Sequence, residues 1–191
     1  MNRKQFLRIV YLGLATMIPL GIISSNPVNG QTGINLSTFR STALSQHNTY
    51  RNTHNSPDMT LSDSLNDSAQ NWADYLATNG VFEHSNSSGV GENIYVSYTT
   101  ASSVDAANLA NQAVTSWYNE VSDYDYANPG FSSETGHFTQ VVWKNSTQLG
   151  CGEARGVETI QGNQYNAFYV VCQYAPAGNV MGQFPDNVMA P

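Results

Sequence analysis

Basic residues are scarce in this chain. Seven of its 191 residues are Lys or Arg, against fourteen Asp or Glu. Three of the seven (Arg3, Lys4, Arg8) lie before Gln31, so residues 31–191 hold four basic side chains against fourteen acidic ones, a net −10. Binding to a phosphate backbone rests on Lys and Arg displacing counterions, so no nucleic-acid partner is expected. Anionic lipid surfaces are disfavoured for the same reason. Catalytic signatures are missing as well: the sequence has no HExxH, no CxxC and no GxSxG. It also lacks internal repeats and long low-complexity tracts.

The one long apolar run spans residues 9–23 and is short of the roughly 20 residues that cross a bilayer, so stable membrane insertion is not expected. Arg3, Lys4 and Arg8 precede it, and Val28 and Gly30 stand at small-residue cleavage positions. Residues 1–30 therefore read as a signal peptide, leaving residues 31–191 as one secreted domain with a real core. Cysteine is nearly absent. In an exported protein the pair Cys151 and Cys172 reads as one disulfide, and two lone thiols make a poor metal site. Four sequons (Asn35, Asn66, Asn86, Asn145) are candidate glycan acceptors.

What is present is amphipathic. Residues 37–52 suggest a helix capped by Ser37, with Phe39, Ala43, Leu44, His47 and Tyr50 on its inner side. Residues 62–79 place Leu65, Ala69, Trp72, Ala73 and Leu76 on one stripe and stop at Asn79-Gly80. Residues 105–121 repeat the pattern with Leu109, Ala113, Trp117 and Val121, and a shorter helix is expected at His137. Strands are expected over 93–98, 148–154 and 165–174, the last two joined by a turn-rich segment, 156–164, as a hairpin that sets the cysteines side by side. The last strand is apolar on both faces and so central. Helices first and most strands last predict an α+β layered domain.

Each of the four histidines can be weighed. His47 reads as a core residue bonded to backbone, and His54, among Asn52, Asn55 and Pro57, as solvated. His84 and His137 stand at junctions between loops and regular elements, where a side chain is held by the scaffold yet can face a cleft. Glu92 enters a strand after Gly91, and Glu120 follows Trp117-Tyr118-Asn119 near the apolar stripe of its helix. From spacing alone, a shared site of these four and four separate structural roles both remain open.

Several motifs occur in one order: HNTYR (47–51), FEHS (82–85), GENIY (91–95), WYNE (117–120), GHFTQVVW (136–143), LGCG (149–152) and YVVCQYAPAGNVMGQFPDNV (169–188). Together they resemble the CAP superfamily (cysteine-rich secretory proteins, antigen 5, pathogenesis-related 1), in wording nearest to secreted fungal members. The resemblance implies a three-layer α-β-α sandwich with a mainly antiparallel sheet. It also implies a Cys151–Cys172 disulfide and a central cavity lined by His84, Glu92, Glu120 and His137. In that cavity His84 and His137 would hold a divalent ion (zinc, magnesium or calcium) not required for the fold, since neutral imidazole suits zinc. The additional cysteines of plant and animal members are missing, and the ion-channel activity of a C-terminal cysteine-rich module is not expected.

Functionally, the resemblance implies a secreted binding module for a small apolar ligand, sterol or fatty acid. The segment 95–104, with Tyr95 and Tyr98, reads as an aromatic loop that covers such a ligand. The alternatives are a metal-assisted hydrolase or protease with Glu92 or Glu120 as general base, and an effector acting on foreign surfaces. No residue is assigned a catalytic role, and the oligomeric state stays open.

Overall fold

A computed structural model describes residues 34–191; the expected signal peptide lies outside the described residues. The first helix, α1, spans Leu36–Thr53. Asn35 caps it by accepting the Thr38 N–H at 3.0 Å, two residues earlier than the Ser37 cap expected. A short strand β1 (Thr60–Leu61) precedes α2 (Asp63–Asn79), which Ser62 caps and left-handed Gly80 ends. Next come β2 (Gly91–Thr99), α3 (Ala106–Tyr118) capped by Asp105, a 3-10 turn (Asn119–Asp123) and α4 (Gly136–Val142). Strands β3 (Gln148–Ile160) and β4 (Asn163–Ala175) and the short α5 (Phe184–Asn187) complete the fold.

The four strands form one sheet in the order β1-β3-β4-β2. It is mixed: β1 pairs parallel with β3, and the long strands pair antiparallel. The hairpin is longer than expected. Residues 156–164 are mostly strand, with Val157, Thr159 and Ile160 extending the ladder to a two-residue turn at Gln161 and Gly162. Both turn residues have positive φ (51° and 82°), the geometry a tight hairpin requires. Cys151 and Cys172 are direct cross-strand partners and form the disulfide, both fully buried. Closing that loop contributes about 3 kcal/mol on a chain-entropy view.

Helices cover both faces, giving the α-β-α sandwich. On one side Phe39, Ala43, Leu109, Ala113, Trp117, Phe138 and Val141 from α1, α3 and α4 meet Val170, Cys172 and Tyr174. On the other, Ala69, Ala73 and Leu76 of α2 meet Ala154, Tyr169 and Val171; burying Leu76 alone is worth about 2 kcal/mol. Glycines let α2 sit directly on strand backbone. A Cβ at Gly150 would lie 2.2 Å from the Leu65 carbonyl carbon, and one at Gly152 would lie 2.3 Å from the Gln70 Cα.

Arg51 locks the layers at the end of α1. Its buried guanidinium makes five hydrogen bonds, all to backbone carbonyls: Pro57 and, around the end of α4, Val141, Trp143, Lys144 and Ser146. Burial lowers its pKa to about 10, which still leaves it charged at neutral pH.

Candidate functional site

The four polar residues singled out in the sequence form two Glu–His pairs. Glu92 enters β2 opposite Gln173, whose amide donates to Oε2 at 2.9 Å. Its other oxygen accepts the Ser85 N–H at 2.8 Å and Nδ1–H of His84 at 2.9 Å. Burial alone would raise the Glu92 pKa. Hydrogen bonds from His84, Ser85 and Gln173 outweigh it and hold the carboxyl below its ordinary range. The Glu92 side chain is 7% exposed and that of His84 57%, so the carboxylate is inside and the imidazole faces outward.

Glu120 belongs to the 3-10 turn and not, as expected, to the helix before it. Its Oε1 accepts Nδ1–H of His137 at 2.7 Å, and its Oε2 accepts the backbone N–H groups of His137 and Phe138 at 3.0 and 3.1 Å. The residue before α4, Thr135, makes no side-chain cap of its own. Glu120 supplies that cap from seventeen residues away, satisfying donors that α4 cannot pair internally.

An ionised carboxylate only accepts hydrogen bonds, so each imidazole carries its proton on Nδ1 and keeps the Nε2 lone pair free. That is the tautomer of a carboxylate-backed metal ligand. Among the described residues, however, no three His, Cys, Asp or Glu side chains converge on one point. The two pairs are therefore separate units in the fold, Glu92 holding His84 and Glu120 holding His137.

One buried chain of hydrogen bonds reaches this region. His47 Nδ1–H donates to the Ala43 carbonyl at 2.7 Å, so its Nε2 accepts the Tyr174 hydroxyl at 2.8 Å. Asn93 donates to the Tyr174 oxygen and to the His137 carbonyl, both at 3.1 Å. Residue 93 follows Glu92 on β2, so this chain braces the strand of one pair against the helix of the other. Burial lowers the His47 pKa to about 4 and pushes the Tyr174 phenol well up, which keeps the chain neutral. Gln140 adds a second brace: it accepts the Gly178 N–H at 2.9 Å and leaves no room for a Cβ at Gly91.

His54 is not solvated. It is fully buried, its ring bonded to the Met189 carbonyl at 2.7 Å and the Tyr118 hydroxyl at 3.0 Å. Of the sequons, Asn66 is buried with its amide oxygen on the Cys151 N–H at 2.9 Å, so it is no glycan acceptor in the folded chain.

The segment 95–104 is also revised. Tyr95 to Thr99 are the last five residues of β2, fully paired with β4, because Thr99 still finds Asn166 across the ladder. Strand alternation sends Tyr95 and Tyr98 to opposite faces. A cavity of about 560 Å³ wraps this free sheet edge, lined by Tyr95, Tyr98, Val104, Asn111, Thr115 and Asn119 among others.

A three-layer sandwich with two glutamate-held histidines and a disulfide across its central hairpin defines a CAP-type domain. The chain belongs to the cysteine-rich secretory protein family, whose profile matches residues 44–174. It is 43% identical over 152 residues to Protein PRY2 of Saccharomyces cerevisiae, covering 79% of this chain and 41% of that one. It is 35% identical over 159 residues to the Golgi-associated plant pathogenesis-related protein 1 of Homo sapiens, covering 80% and 94%. Secreted protein RBT4 of Candida albicans is also 35% identical, and the chain spans under half the length of PRY2 and RBT4. Among solved structures, NaASP2 with Zn2+ superposes with a TM-score of 0.58 at 29% identity, covering 87% of this chain and 92% of that one.

Proposed function

We propose that this CAP domain is a secreted carrier of a small apolar ligand, a sterol or a fatty acid. The observation that carries the reading is the cavity of about 560 Å³ along the β2 edge, within the size range of small-molecule sites. Tyr95, Tyr98 and Val104 offer apolar wall, while Asn111, Thr115 and Asn119 offer polar groups for a ligand hydroxyl or carboxyl. The chemistry at the two Glu–His pairs supports binding over hydrolysis. Each oxygen of Glu92 and Glu120 already accepts a hydrogen bond from a neighbouring group, which supports a positioning role for both carboxylates. The basic residues Arg3, Lys4 and Arg8 ahead of the apolar run 9–23, and the name Secreted protein RBT4 of a relative, support export.

The test uses residues 31–191 with radiolabelled cholesterol and palmitate. Saturable binding that Tyr95→Ala weakens is the expected result, whereas no saturable uptake of either lipid at micromolar concentration would sink the reading. His84 and His137 are proposed to offer Nε2 to a divalent ion. Calorimetric titration with zinc should show weak binding that is lost in His137→Ala, and equal heats for both proteins would remove the ion from the proposal.

A further inference from the structure

The outer side of α2 carries a second stripe, rotated from the buried one. Ser64, Asp67, Asn71, Trp72 and Tyr75 fall at i, i+3, i+7, i+8 and i+11, a line of about 16 Å at 1.5 Å per residue. With Ser85 from the loop before β2, they line a groove of about 590 Å³ that shares no residue with the β2-edge cavity.

One wall of this groove is an aromatic platform. Tyr75 lies almost parallel to Trp72, with ring centroids 4.7 Å apart and planes 13° apart. The Trp72 indole N–H donates to the Glu83 carbonyl at 3.1 Å, tying the platform to the loop. One face of the Tyr75 ring is thus stacked on Trp72, while the residue is 44% exposed and lines the groove. The loop wall is fixed too, since the Ser85 N–H is bonded to Glu92.

The lining selects a chemistry. It contains no Lys or Arg, and Asp67 is its single charge, so phosphate, sulfate and carboxylate ligands are repelled. Hydroxyls and an amide make up the remaining polar wall, groups that both donate and accept. Such a wall would be left unpaired by a sterol, an acyl chain or the pyrrolidine rings of a proline-rich peptide. A ligand that satisfies it is uncharged, has hydroxyls around its rim, and has a flat C–H face for the electron-rich face of an aromatic ring. A pyranose has all three. We propose that the α2 groove binds a neutral oligosaccharide, one sugar ring stacked on the outer face of Tyr75 and neighbouring hydroxyls bonded by Asp67, Asn71 and Ser85. The length of the stripe suits an extended chain of sugars and not a single ring.

Trp72 makes the groove directly observable. Of the three tryptophans, Trp117 and Trp143 are buried at 2% and 1% exposure, and Trp72 alone reaches the groove. Intrinsic fluorescence is titrated with laminarihexaose and with chitohexaose, using a heparin hexasaccharide and a proline-rich peptide for comparison. The expected result is saturation by at least one neutral hexasaccharide. Tyr75→Ala should weaken that binding about tenfold or more, corresponding to loss of about 1.4 kcal/mol, and Tyr75→Phe, which keeps the ring, should retain it. Cholesterol uptake should be equal in all three proteins, which separates this site from the β2-edge cavity. The proposal is overturned by no saturation with either neutral hexasaccharide up to about 10 mM, a range that includes millimolar ligands. It is equally overturned by sugar binding indifferent to Tyr75→Ala, or by preference for heparin or the proline-rich peptide.

Discussion

Glu120 grips His137 by ring and backbone together: one carboxylate oxygen holds Nδ1–H at 2.7 Å while the other holds the main-chain N–H at 3.0 Å. The tautomer of the imidazole and the start of α4 therefore share one cause. Glu120→Gln turns one acceptor into an NH2 group facing N–H donors and should cost about 1–3 kcal/mol. Thermal denaturation measures that loss, and ring 15N shifts should show Nδ1 no longer uniformly protonated. Zinc affinity, where present, should fall roughly 10- to 100-fold. An unchanged tautomer would refute the positioning role.

Arg51 is the second point of leverage. Arg51→Lys keeps the charge but offers three donors on one nitrogen where five carbonyls are now served. Buried carbonyls left unpaired should cost about 2–5 kcal/mol, read as a lower urea midpoint. Equal midpoints would mean that water or lysine replaces the guanidinium without loss.

Stability should depend on pH through His47. Its folded pKa of about 4 lies below the ordinary 6.5, owing first to burial, with Arg51 adding to the depression and the Ala43 carbonyl opposing it. The unfolded chain therefore binds the proton more readily. The contribution is complete above pH 6.5, declines as pH falls towards 4, and amounts to about 3 kcal/mol, an order-of-magnitude figure. His54, also lowered by burial, acts in the same direction. Denaturation series at several pH values should show this slope, and His47→Gln should flatten it; a slope unchanged in the variant would assign the effect elsewhere.

Gly152→Ala should push α2 off the sheet. Its Cβ would meet the Gln70 backbone, which cannot swing aside as a side chain would. A loss of about 1–3 kcal/mol or more is expected, with Trp72 fluorescence shifted before any ligand is added. An alanine variant with native stability and spectrum would show that the helix has slack.

What could be read in the sequence was local. The stripe Leu65, Ala69, Ala73, Leu76 and the stop at Gly80 define α2 within one segment and are placed as expected, whereas Trp72, expected on the same stripe, sits at its edge, partly buried and also lining the outer groove. The two histidine–glutamate pairs became legible through ordered motifs, since Glu120 and His137 lie seventeen residues apart and no spacing rule joins them. His54 was misread because its partners, Tyr118 and Met189, are 64 and 135 residues away. Asn93 and Gln173 left a fainter trace: each is a buried amide in a strand otherwise rich in apolar residues, which marks a bracing role. The groove on α2 combines an outward helical face with a Ser85 wall supplied by another segment, a juxtaposition that no periodicity within α2 indicates.

The glycines beneath α2 act as a ruler. Because main chain touches main chain at Gly150 and Gly152, the height of the helix above the sheet does not depend on any side-chain volume between them. Outward residues such as Asn71 and Tyr75 can then be exchanged without moving the axis that carries them. Divergence on that face would alter what is recognised while leaving the spacing to the His84 loop constant, the property wanted in a scaffold whose surface is to be re-specified.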